Sequence, residues 1–104
     1  MKPEHIEIQL VKNEENKRFE LEVEGHIAFI DYKERDSKIT LTHTEVPLEL
    51  EGKGVGNAVV EKTLDYLEQN NYVLIPLCPF VFAYIKRHPE WKRIIDPDFK
   101  KMEI

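Results

Sequence analysis

The chain has 104 residues, 41% of them hydrophobic and 34% charged, with a formal net charge of −5. That length fits one domain, residues 1–104, with a modest core, and the composition is that of a globular rather than a disordered chain. The acidic balance argues against general nucleic-acid binding, which needs a basic face to displace counterions, and no apolar run reaches bilayer length.

Met1 to His5 lacks the apolar stretch of a signal peptide, and the lone Cys78 makes no internal disulfide, so a cytoplasmic location is expected. Ile6, Ile8 and Leu10 alternate with Glu7 and Gln9, the period-2 pattern of a half-buried strand. Polar Asn13 to Lys17 turns the chain into a second strand, where Phe19, Leu21 and Val23 alternate with Glu20, Glu22 and Glu24. Gly25 breaks that run, and a third strand covers about Ile27 to Tyr32. Charged residues from Lys33 to Lys38 turn the chain again, and a fourth strand runs from Ile39 towards Val46. The short connections predict an antiparallel meander.

Pro47 ends the meander, and a glycine-rich turn leads into a helix from about Gly54 to Gln69, with Val55, Val59, Thr63, Leu64 and Leu67 near one face. Asn70 and Asn71 suit its end. Tyr72 to Cys78 is nearly all apolar, as for a strand buried on both faces, and the strand-helix-strand order predicts parallel pairing of strands four and five. Pro76 donates no ladder hydrogen bond, so pairing should fail there and open a gap at the carboxyl ends of the two strands, where α/β sheets hold ligands. A second helix, Pro79 to about Arg87, places Cys78 at or beside its N-cap, and His88-Pro89 ends it. Lys86, Arg87, Lys92 and Arg93 lie close together and read as a solvated face among acids. Of the last stretch, Trp91, Ile94, Ile95 and Phe99 should pack back on the body.

Glu51-Gly52-Lys53-Gly54-Val55-Gly56 is the segment most suggestive of a ligand. Glycines at alternate positions open conformations closed to other residues, and the following helix start is an anion site, with Lys53 adding charge; an ordinary tight turn fits the same residues. The spacing is neither the Walker pattern nor a good dinucleotide fingerprint.

Taken together, His43-Thr44-Glu45-Val46-Pro47, Gly52-Lys53-Gly54-Val55-Gly56, Pro76-Leu77-Cys78-Pro79-Phe80 and Tyr84 to Pro89 resemble the small GCN5-related N-acetyltransferase-like proteins, the short YjdJ-type members of that superfamily. The resemblance spans about residues 39 to 95 and implies a truncated α+β fold of that type. It also implies an acetyl-coenzyme A site at Val46, Glu51, Gly52, Lys53, Gly54, Val55, Gly56, Asn57, Cys78 and Pro79. Amides from Lys53 to Asn57 would hold the pyrophosphate, pantetheine would lie in the gap, and the main chain near Glu45 and Val46 would orient the thioester. Glu51 stands where the superfamily usually has Arg or Gln, and the chain is shorter than typical members.

Acetyl transfer to an amine needs a base, and His43 and Glu45, two residues apart, should share the face of Ile39 and Leu41 at the end of their strand. A hydrogen-bonded rim role for His43 and a capping role for Glu45 fit equally. Cys78 is either a thiolate stabilised at a helix start or a buried inert thiol, and the resemblance puts it beside the acetyl group. Tyr84 is the residue the resemblance offers as acid towards the leaving thiolate, while Phe80, Phe82 and Tyr84 also read as a packing face. The leading expectation is an N-acyltransferase for an amine acceptor. Its rivals are a coenzyme A-binding or acyl-sensing module and an interaction domain.

Overall fold

The computed structural model describes residues 2–103. In chain order these form helix α1 (Pro3–Ile6), strands β1 (Val11–Asn13), β2 (Arg18–Val23), β3 (His26–Arg35) and β4 (Lys38–Glu45), helix α2 (Val55–Gln69), strand β5 (Val73–Pro76), and helices α3 (Pro79–Arg87) and α4 (Pro97–Glu103), with short 3-10 turns at Leu48–Leu50 and Pro89–Ile94. The five strands make one sheet in sequence order, antiparallel through β4 and parallel between β4 and β5, as the pattern of elements predicts.

Period-2 patterning builds the core face. Phe19, Leu21, Ala28, Ile30, Tyr32, Ile39 and Leu41 are all buried there, and α2 answers with Val55, Ala58, Val59, Thr63, Leu64 and Leu67 at helical spacing. Burying each large side chain contributes about 1.5–3 kcal/mol. Glu24 and Gly25, both at positive φ (53° and 82°), form the two-residue turn whose twist matches a β-hairpin.

Four expectations need correction. Ile6 ends a helical turn that begins at Pro3, residues 7–10 are not in a strand, and the edge strand starts only at Val11; Ile8 and Leu10 still pack on the core, but Ile6 is 59% exposed. The third strand does not end at Tyr32. Its charged continuation to Arg35 stays paired, because Asp36 at φ 56° lets the chain reverse in a tight turn before Lys38. The fifth strand is shorter than its apolar run and is buried on one face, with Val73 and Ile75 only half-buried. The tail beyond it is helical, and it covers the outer edge of β5, where the Asp96 amide donates to Leu74 O at 2.8 Å.

The fourth correction bears on function. Tyr32 pairs with Leu41 but Asp31 pairs with His43, so Thr42 is an extra residue, and its Oγ1 donates to Asp31 O at 3.3 Å. This β-bulge shifts the side-chain alternation. His43 and Glu45 therefore lie opposite Asp31 and Phe29, on the face away from α2, and not in line with Ile39 and Leu41. Thr44, opposite buried Ile30, takes the core side instead.

The parallel ladder runs from Lys38–Val73 to Leu41–Pro76 and is closed by the Cys78 amide donating to Leu41 O at 2.8 Å. Beyond it, β4 continues from Thr42 to Glu45 while the chain after Pro76 turns into α3. A gap at the carboxyl ends follows, as Pro76 predicts.

The opposite end of the sheet is tied shut. Lys12 Nζ donates to Glu34 Oε1 at 2.9 Å, Tyr72 O–H donates to Glu34 Oε2 at 2.8 Å, and the Lys12 ammonium lies 5.2–5.9 Å from the ring centres of Tyr32, Tyr66 and Tyr72. Burial alone pulls the Lys12 pKa down, but the hydrogen bonds to Glu34 and Tyr72 together outweigh it and leave it raised. The same bonds, that of Lys12 first, hold the Glu34 carboxyl below its ordinary value.

Candidate functional site

The site is built at the open end of β4. After Pro47 a 3-10 turn buries Leu50 completely and brings the chain back towards α2. Gly52 and Gly54 then take φ of +77° and +76°, a region that strongly favours glycine. Gly54 is the N-cap of α2, and the Ala58 amide closes on Gly54 O at 3.1 Å. The amides of Val55, Gly56 and Asn57 precede that first helical bond and point outward at the positive end of the helix.

They border a concavity of about 310 Å³, with Glu51, Gly52, Gly54, Val55, Gly56 and Asn57 on one side and Val46, Phe80 and Arg87 on the other. A Cβ at Gly56 would lie 2.8 Å from Phe80 Cζ and 3.5 Å from Val46 Cγ2, so any side chain there would push the Phe80 ring aside. A Cβ at Gly54 would meet the stem of Lys2 at 3.2 Å. Amides at a helix start, reached through glycines at positive φ, fit a bound pyrophosphate.

The side chain of Lys53 lies outside the lining of the concavity. Its ammonium is paired with Glu24 at 2.7 Å, and its amide donates to Leu50 O at 3.3 Å. Glu51 does line the concavity and is exposed. Phe80 and Arg87 are additions the sequence reading passed over. They stand seven residues apart on α3, about two helical turns, and so on one face, which was the available signal. Arg87 is exposed, as a solvated basic group predicts, and it also borders the concavity. Lys86 lies over the Phe82 ring at 5.2 Å, and Arg93 pairs with Glu68.

In the gap itself, Cys78 is the N-cap of α3 and only 2% exposed, with its Sγ 3.2 Å from Thr44 Oγ1. Pro79 follows at the first helical position. Thr44 carries no sequence signal, because the bulge that turns it inward has none. His43 and Glu45, more than half exposed, form a pair on the other face, with His43 Nε2 2.8 Å from Glu45 Oε1. With the proton of that bond on Nε2, the Nδ1 lone pair is free.

Tyr84 is placed elsewhere. It is buried where α3 meets α2, donates its O–H to Glu61 Oε1 at 3.0 Å and lies against the His88 ring at 4.3 Å. Burial first, and Glu61 second, push its pKa up. The packing alternative describes this geometry; an acid facing the gap does not.

A larger hollow, about 630 Å³, lies at the closed end among Lys33, Arg35, Lys38, Thr40 and Ile75. Its lining is mostly charged side chains exposed to solvent, with Thr40 and Ile75 half-buried, whereas the smaller concavity includes the glycine turn at the start of α2. No described helix is long and apolar enough to cross a membrane.

Residues 18–94 match the model of a family described as GCN5-related N-acetyltransferase. The fold is similar to that of a GCN5-like protein from Staphylococcus aureus solved by NMR, with a TM-score of 0.64 at 24% identity over 86% of this chain and 88% of that one. No match is found among curated protein sequences.

Proposed function

The chain belongs to the GCN5-related N-acetyltransferase family, and from that premise we propose that it transfers an acetyl group from acetyl-coenzyme A to an amine. The observation that carries the reading is the ending of β4–β5 pairing at Leu41–Pro76, with Val46 beyond the free end of β4 lining the concavity of the glycine turn. One ligand can then run from an anion cradle at Val55, Gly56 and Asn57, past Val46 and Phe80, to the unpaired carboxyl end of β4.

Bound there, acetyl-coenzyme A supplies an activated acetyl thioester. Glu45 and His43, hydrogen-bonded to each other, take the proton from the acceptor ammonium, Glu45 fixing the imidazole so that Nδ1 is the receiving atom. The freed amine nitrogen would form the new C–N bond as the C–S bond opens, and coenzyme A would leave as a thiolate that takes up the second proton shed by that nitrogen to become the thiol. Main-chain groups near Glu45 and Val46 orient the carbonyl. Cys78, buried against Thr44, favours this direct route over transient acetylation of its sulfur.

A second reading, a coenzyme A-binding or acyl-sensing module, draws support from Glu51 in the concavity and from the exposure of His43 and Glu45. Thiol release from acetyl-coenzyme A over a panel of amines and peptides separates the two. Turnover with at least one acceptor, lost in His43→Gln, is expected of the enzyme; tight binding with no release for any acceptor favours the module.

A further inference from the structure

A pyrophosphate in the glycine concavity brings negative charge next to the carboxylate of Glu51, so the site needs a cation. The obvious one by sequence, Lys53, is committed to Glu24 through its ammonium and to Leu50 through its amide. Lys2 brings its Cε, and with it the ammonium, to Gly54, but it is not among the residues that line the concavity. Arg87 is different. It lines the concavity directly, across from the amides of α2, and among the described residues no hydrogen bond or ion pair occupies its guanidinium. Its fork of N–H donors matches phosphate oxygens in a way a lysine does not. Phe80, two turns earlier on the same face, fixes the wall from which Arg87 reaches in.

We propose that Arg87 is the side chain that neutralises the coenzyme pyrophosphate, in place of Lys53 and of the basic or amide residue that Glu51 replaces. The inference rests on the acetyl-coenzyme A reading above. It commits Arg87 to the pyrophosphate rather than the 3′-phosphate, because the hollow that Arg87 lines is the one bordered by the glycine amides.

Calorimetric titration of acetyl-coenzyme A and of its 3′-dephospho form, still acetylated, into wild type, Arg87→Ala and Lys53→Ala tests it. Arg87→Ala should weaken both ligands by about 10-fold to 100-fold, the range of a charge-assisted hydrogen bond, while Lys53→Ala stays within about twofold of wild type. Equal affinity of Arg87→Ala and wild type overturns the inference, and so does a loss confined to acetyl-coenzyme A, which would place Arg87 on the 3′-phosphate. If wild type binds neither ligand, the acetyl-coenzyme A reading itself fails, which is a distinct result. Arg87 is exposed, so its replacement should leave the thermal midpoint in place; Arg87→Gln is the second variant should the alanine form unfold.

Discussion

The two ends of β4 are held in opposite ways. At Lys38 to Leu41 the strand is paired on both sides, to β3 and to β5, and the Lys12–Glu34–Tyr72 cluster ties the sheet at that end. At Thr42 to Glu45 it is paired to β3 alone, after a bulge that exchanges its two faces. The closed end spends its backbone on stability, whereas the open end leaves main-chain groups, a helix start and an exposed His–Glu pair for a ligand. The larger hollow belongs to the closed end and the smaller one to the open end.

This contrast can be broken most sharply at the base. His43→Gln should lower kcat by about 10²-fold to 10⁴-fold, the range for a general base, with acetyl-coenzyme A affinity unchanged by calorimetry. Equal activity would remove the pair from the chemistry. At the closed end, Leu41→Ala should destabilise the fold by about 2–5 kcal/mol in urea melts, because its fully buried side chain leaves a cavity. The folded fraction should still bind coenzyme A, since Leu41 does not border the cradle.

Gly56→Val sharpens the comparison from the other side. It should weaken acetyl-coenzyme A by at least about tenfold, or 1.4 kcal/mol, as the new side chain meets Phe80 and Val46. The Phe80 ring is 40% exposed and can swing outward, so stability should change far less than in Leu41→Ala.

Acid should act on the closed end. The folded-state pKa of Glu34 lies below the ordinary 4.5, so its stabilisation is present above that value and is lost as pH falls through the lower folded value. For Lys12 the folded pKa is raised, so its share is present below 10.5 and is lost only in strong alkali. Glu34→Gln should therefore cost about 1 kcal/mol at neutral pH and flatten the acid limb of a thermal-melt series, with cofactor affinity unmoved. Smallest of all, Glu51→Gln should tighten acetyl-coenzyme A by only a few-fold, since an exposed charge is screened by water and salt.

Much of this was legible in the residues. The alternation of Phe19, Leu21 and Val23 and the helical spacing of Val55, Val59 and Leu67 gave the layers, and Pro76 gave the gap. The glycine turn was legible because positive φ selects glycine. What escaped were effects that depend on neighbours distant in sequence. Nothing in Leu41-Thr42-His43 marks the bulge, which exists only as a register against Asp31 and Tyr32, so His43 and Glu45 were put on the wrong face. The pairing of Lys53 with Glu24, 29 residues away, was equally out of reach. Arg87 was hidden in a basic group, although its two-turn spacing from Phe80 was there to be read.

The claim that the ligand sits at the open end has one most direct test, amide NMR of the labelled chain titrated with acetyl-coenzyme A. The account predicts shifts at Val55, Gly56 and Asn57 and along Thr44 to Val46, with the amides of Lys33 to Lys38 and Val73 unmoved. Shifts centred on Lys33 to Lys38, or none at millimolar ligand, would contradict it.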